Sequence, residues 1–114
     1  MKSKKKVFIC NKGGHNYEQA LKFGELVYVT EGNVNRFNTS NFYRAFIDAM
    51  EGSQKEDYIL ITSLSILNAI AAAVFARKHG RVNFLLFSHD DYTCREVDID
   101  SLLDQEAILQ SIKL

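Results

Sequence analysis

At 114 residues, with 46% of them apolar and 25% charged, the chain is long enough to bury one core unaided and too short for two ordinary domains. Fourteen basic residues balance fourteen acidic ones, which excludes a global field that would recruit nucleic acid or an anionic membrane. The longest apolar stretch, Ile66–Ala76, is too short to span a bilayer, and two cysteines without a secretory leader fit a reducing, cytoplasmic compartment better than a disulfide.

Residues 1–6 carry Lys2 and Lys4 to Lys6 and read as a basic, solvated tail. Val7–Cys10 is apolar without alternation, the pattern of a strand buried on both faces. Residues 11–16 form a loop. Tyr17–Phe23 then reads as a short helix, capped by Asn16 with Gln19 in capping-box spacing and ended by Gly24 as a left-handed residue. Glu25–Thr30 is the second strand and Glu31–Asn38 a long loop. Thr39 or Ser40 caps a helix running to about Met50, in which Phe42, Ala45, Phe46, Ala49 and Met50 make one apolar stripe.

Asp57–Thr62 is the third strand. The helix that follows, Leu64 to His79, is apolar nearly all round, so the sheet, its neighbours or a second subunit must cover most of it. Arg77, Lys78 and His79 suit the negative end of its dipole, and Gly80 stops it. Val82–Phe87 is the fourth strand, Ser88–Asp91 a turn, and Tyr92–Ile99 alternates as a half-exposed antiparallel edge strand does. Ser101–Lys113 reads as a final helix capped by Ser101, with Leu102, Leu103, Leu109 and Ile112 available for burial.

This order predicts a single α/β domain over residues 1–114: a small Rossmann-like, three-layer fold with a mainly parallel sheet. Right-handed crossovers favour the strand order 2-1-3-4-5 with an antiparallel edge strand. The switch point then lies between strands one and three, where Gly13–His15 should face Thr62 and Ser63 across a crevice.

Three polar loops at that edge carry the candidate chemistry. In the first, Asn11, Lys12, Gly13, Gly14 and His15 can bring backbone amides to an anion, assisted by the positive end of the next helix. Lys12 adds charge, and His15 can donate a hydrogen bond or act as acid or base. The same glycines can equally make no more than a tight turn, and they match neither a dinucleotide fingerprint nor a P-loop. In the second, Thr30 and Glu31 precede Arg36; Glu31 can hold ribose hydroxyls or a metal, and Arg36 a phosphate or carboxylate. In the third, Thr62 and Ser63 offer hydroxyls at the start of the apolar helix, where they can hold an anion or simply cap. Ser63, His15 and Glu31 can be drawn as a hydrolase triad, but no nucleophile elbow accompanies them. His15, His79 and His89 are scattered without metal-ligand spacing, so neither metal nor cofactor is implied.

Tyr58–Phe87, a strand, a hydroxyl turn and an Ala-rich helix, resembles the corresponding segment of CRISPR-associated Rossmann-fold sensor domains. That resemblance implies a dimer binding a cyclic oligonucleotide, although Leu64 and Ser65 stand where such domains carry glycines and a lysine. Thr30-Glu31-Gly32 is similar to the first motif of Toprim catalytic domains, which need a later Asp-x-Asp; here the nearest acidic pair, Asp90 and Asp91, falls in a hairpin. Over most of its length, from Lys6-Val-Phe-Ile-Cys-Asn-Lys-Gly-Gly-His15 to Val29-Thr-Glu-Gly32, the chain resembles small proteins of tailed-phage genomes. This implies work in a bacterial cytoplasm on host or competitor systems.

The leading expectation is a non-catalytic module for a nucleotide-like or other anionic small ligand, possessing homo-oligomeric partners. An assembly subunit without a small ligand is the alternative, with Phe37, Phe42, Tyr43 and Phe46 as aromatic anchors. A phosphoester-cleaving enzyme using His15 is the third.

Overall fold

Val7 to Cys10 are all buried, as a strand covered on both faces requires, and the rest of the fold is laid out around them. The computed structural model describes residues 4–113. Strands β1 (Lys6–Asn11), β2 (Glu25–Thr30), β3 (Tyr58–Leu60), β4 (Arg81–Ser88) and β5 (Asp91–Asp98) form one sheet in the order β2-β1-β3-β4-β5. All pairs are parallel except β4 with β5. Three α-helices, α1 (Thr39–Ala49), α2 (Ser65–His79) and α3 (Ile99–Lys113), accompany a 3-10 helix at Glu18–Lys22. The expected topology and its switch between β1 and β3 are present.

Alternate residues of each strand go to opposite layers. Phe8, Cys10, Ile59 and Val82 meet Phe46 and Met50 of α1 and Leu67, Ala71 and Phe75 of α2. Val7, Ile9, Leu60 and Leu85 meet Tyr17, Ala20 and Tyr92 on the other side. The layers are unequal, because the β1–β2 crossover contributes a five-residue 3-10 helix where a short helix over Tyr17–Phe23 was expected. Tyr17, just ahead of it, is buried.

Several caps differ from expectation. Gly24 has no positive φ; a side chain there would run into the Lys5 carbonyl, whose oxygen accepts from Glu25 N at 2.9 Å. Lys5 and Lys6 are therefore tied to the sheet rather than part of a free tail, while Lys2 lies outside the described residues. Asn38, not Thr39 or Ser40, occupies the N-cap of α1 and makes no side-chain bond. Asp98 Oδ1 accepts from Ser101 N at 3.1 Å, so α3 starts two residues early with Asp98 in the role given to Ser101. Gly80 does close α2 in the left-handed region, at φ 71°. The hairpin turns on His89 and Asp90, both at positive φ (52° and 68°), the twist that two-residue hairpin loops favour.

The amino ends of β1 and β3 are tied by Asp57. Its buried carboxylate accepts from Lys6 N at 2.9 Å and Gln54 N at 2.8 Å. Asn83 Nδ2 donates to the Asp57 and Lys55 carbonyls at 2.9 and 2.8 Å. Nearby, Ser53 Oγ and His79 Nε2 are 2.8 Å apart. Burial holds His79 below its ordinary pKa of 6.5, and the Lys78 charge adds to the effect. A base depressed in the folded state takes its proton more readily when unfolded. Its contribution to stability is therefore full above about pH 6.5 and declines as pH falls from there through the folded pKa. Urea unfolding across that window should show the decline, and His79→Gln should flatten it. An identical slope in the variant would assign the effect to other groups.

Candidate functional site

Because β1, β2 and β3 run parallel, the loops that follow them leave from one edge of the sheet. The turn after β3 is organised by Asn68 of α2, which was not among the expected site residues. Its Oδ1 accepts from Thr62 N (3.2 Å), Thr62 Oγ1 (3.3 Å) and the Cys10 thiol (3.3 Å). Its Nδ2 donates to the Thr62 carbonyl at 2.7 Å. Thr62 Oγ1 in turn accepts from Leu64 N at 3.2 Å. Thr62 thus shapes the turn before α2 instead of capping the helix. Leu64 is the N-cap and makes no side-chain bond, which leaves the first amides of α2 facing the rim without a side-chain cap. A single polar residue between Ile66 and Ala76 was the available signal.

Two clefts flank this turn. One, of about 300 Å³, is lined by His15 and Asn16 of the first loop, Thr62 and Ser63 of the third, and Phe87 and Tyr92 of the hairpin. The other, of about 550 Å³, lies between Asn35 and Arg36 of the second loop and Ser63 to Leu67 at the start of α2. Ser63 lines both. The first and third loops therefore do meet across a crevice, and the second reaches the same turn from its other side. Phe87 and Tyr92, with ring centroids 5.1 Å apart, were not foreseen; only the folded-back hairpin brings them to the rim.

The other candidates divide. Asn11 is the last residue of β1 rather than a loop residue, and with Thr30 it knits the strands together. Thr30 Oγ1 donates to the Cys10 carbonyl (2.7 Å) and Asn11 Oδ1 (3.0 Å), and Asn11 Nδ2 donates to the Gly32 carbonyl at 3.1 Å. Lys12 N donates to the Thr30 carbonyl at 2.9 Å while its ammonium stands 5.6 Å from the Tyr28 ring centre. Gly13 and Gly14 line neither cleft. They are exposed, neither has positive φ, and a Cβ on either would meet open space. Neither turn geometry nor packing requires glycine at these positions; what glycine provides is bare, approachable backbone.

Asn16 Oδ1 accepts from Glu18 N at 2.9 Å, but the five-residue helix it opens begins with Glu18 and gives no extended dipole. Glu31 is exposed and lines neither cleft, so the drawn triad lacks its third member. Arg36 sits 5.1 Å above the Phe37 ring centre and faces the second cleft. Burial pushes the Cys10 thiol up to about 12, which keeps it protonated as the donor to Asn68 and removes it as a nucleophile. Cys10 and Cys94 are both free and lie in opposite layers. Among the described residues, no group of three His, Cys, Asp or Glu side chains could hold a metal ion, and no helix is long and apolar enough to cross a membrane.

Residues 5–101 match the family described as phage Pam3 gp32-like protein. The chain belongs to that family. The match takes in all five strands and both clefts, and leaves out α3 beyond Ser101. It agrees with the phage resemblance of the sequence. No curated protein and no solved structure matches the chain.

Proposed function

We propose that the chain is a non-catalytic binding module that holds an anionic, nucleotide-like small molecule at the carboxyl rim of its sheet. The observation that carries this is Ser63, shared by two clefts, with His15 and Asn16 on one side and Asn35 and Arg36 on the other. Supporting it are the amides at the start of α2, the Arg36 guanidinium beside them and the open backbone at Gly13 and Gly14, the equipment that helix ends and glycine loops bring to phosphates. Phe37 and Phe87, both exposed, provide flat apolar surface for a base. Binding rather than turnover is the reading we adopt, since Glu31 does not line the cleft that His15 and Ser63 share. A phage protein that captures a nucleotide signal would act in the bacterial cytoplasm as an accessory or counter-defence protein.

A thermal-shift series with inorganic phosphate, mononucleotides and cyclic oligonucleotides, paired with mass spectrometry of compounds released on denaturation, tests the proposal. A ligand at one hundred times its Kd stabilises by about 2.7 kcal/mol, which raises the Tm of a chain this size by on the order of 10 °C. Arg36→Ala should weaken the shift. No shift from any of these compounds and no released molecule would overturn the proposal.

A further inference from the structure

Helix α3 leaves the body of the molecule uncovered. It follows β5 without a linker, Asp98 ending the strand and Ile99 opening the helix. The joint is pinned: Ile99 N and Asp100 N both donate to the Gly80 carbonyl at 3.0 Å, and Ile99 packs against the core under α1 and α2. The Asp100 carboxylate fills the space that a side chain on Gly80 would need. Beyond that joint every described side chain is exposed, including Leu102 (55%), Leu103 (62%) and Leu109 (50%); Ile112, expected among the buried residues, lies outside the described side chains. The molecule measures 53 Å against 34 and 33 Å, an excess close to the ~22 Å length of a fifteen-residue helix. Its radius of gyration, 15.5 Å, exceeds the roughly 13 Å of a compact chain of this size. A helix this short is marginal in water unless an apolar face is covered.

The same chain carries an unfilled groove between α1 and α2. Only Leu67, Ala71 and Phe75 of α2 are buried, so of the three covers expected for this helix the sheet and its neighbours leave the outer side open. A depression of about 800 Å³ runs along it, lined by Tyr43, Ile47, Ala73 and Val74 with Arg77 at its edge. It continues past Tyr43 to Arg44 and Ile70. Tyr43 is 54% exposed, whereas Phe46, its neighbour among the expected anchors, is buried.

We infer that two copies of the chain exchange arms, α3 of each lying in the α1–α2 groove of the other about a two-fold axis. The joint is held at Gly80 and α3 beyond it stands off its own body, so in this arrangement the groove is left for the arm of a second copy. Charge agrees. Beyond the joint the described part of α3 presents Asp104 and Glu106, while the groove carries Arg44, Arg77 and Lys78 against Asp48 and Glu51. Such an exchange is isologous and closed. Two arms, each burying on the order of 400 Å² on itself and as much on its groove, reach the roughly 1,600 Å² of a stable interface.

Sedimentation or light scattering of the full chain at micromolar concentration should give twice the 13.0 kDa mass. Leu103→Glu on the arm and Ile47→Glu in the groove, both at exposed positions, should each raise the dimer dissociation constant at least tenfold, with circular dichroism unchanged. Mixing the two variants should restore dimer in part, because each provides the half that the other lacks. A monomeric wild-type chain would overturn the inference. So would a groove variant that dimerises normally beside a monomeric arm variant, which would mean that the arms pair with each other. Neither outcome bears on ligand binding at the rim.

Discussion

An Asn68→Ala chain is expected to lose about 2–4 kcal/mol of stability, and the rim should lose its shape with it. Four hydrogen bonds end on this one amide, joining α2 to both polar groups of the Thr62 backbone, to its hydroxyl and to the Cys10 thiol of β1. Truncation takes these partners from the half-buried Thr62 amide and carbonyl; a fully buried group so left costs about 1–3 kcal/mol, and one that water reaches costs less. Urea unfolding measures the loss, and amide exchange at Thr62 to Leu64 should accelerate in the variant while β4 stays protected. Protection unchanged at Thr62 would show that the turn holds without Asn68. Asn68→Asp keeps the acceptor and gives up the donor to the Thr62 carbonyl, so it should fall between the two.

At the other end of the sheet, Asp57→Ala should cost about 2–5 kcal/mol, from two backbone N–H groups left unpaired in a buried site. That is a large share of the 5–15 kcal/mol that typically holds a domain together. Lys6 and Gln54 lie on different segments, so the same change also releases the start of β1 from the approach to β3. Asp57→Asn, with one acceptor oxygen in place of two, should recover part of the loss. Any ligand that shifts the melting of the wild-type chain should still shift that of Asp57→Ala by a similar amount, whereas with Asn68→Ala the shift should shrink. A stability change below about 1 kcal/mol in Asp57→Ala would mean that water or another group replaces the carboxylate.

The strands and their order were legible because burial on both faces writes an unbroken apolar run. Val7–Cys10 is buried throughout, whereas Leu26–Val29 on the edge strand is half-buried and the third strand is Tyr58–Leu60, shorter at both ends than the expected Asp57–Thr62. The charged end of α2 with Gly80, and the alternation of β5, were equally local signals. What escaped was decided by partners distant in sequence. Asn68 draws its meaning from Cys10, 58 positions away. Gly24 is small because Lys5 passes over it, not because of its own φ. Tyr17 is buried, and the expected helix is a 3-10 turn. Among the site candidates, placing the loops at one edge required only topology, and His15, Thr62, Ser63 and Arg36 do line the clefts there. Asn11 and Thr30 have the polar composition of ligand-holding residues, yet their hydrogen bonds run within the sheet; composition alone cannot separate those uses.

The direction of β5 has a practical consequence. Since it alone runs against the other strands, the chain enters β1 at Lys6 and leaves β5 at Asp98 on the same pole, opposite the clefts. A purification tag, a fluorophore or a surface tether attached ahead of Lys6 would hold the molecule by its base. The Ser63 turn would then point outward into the sample.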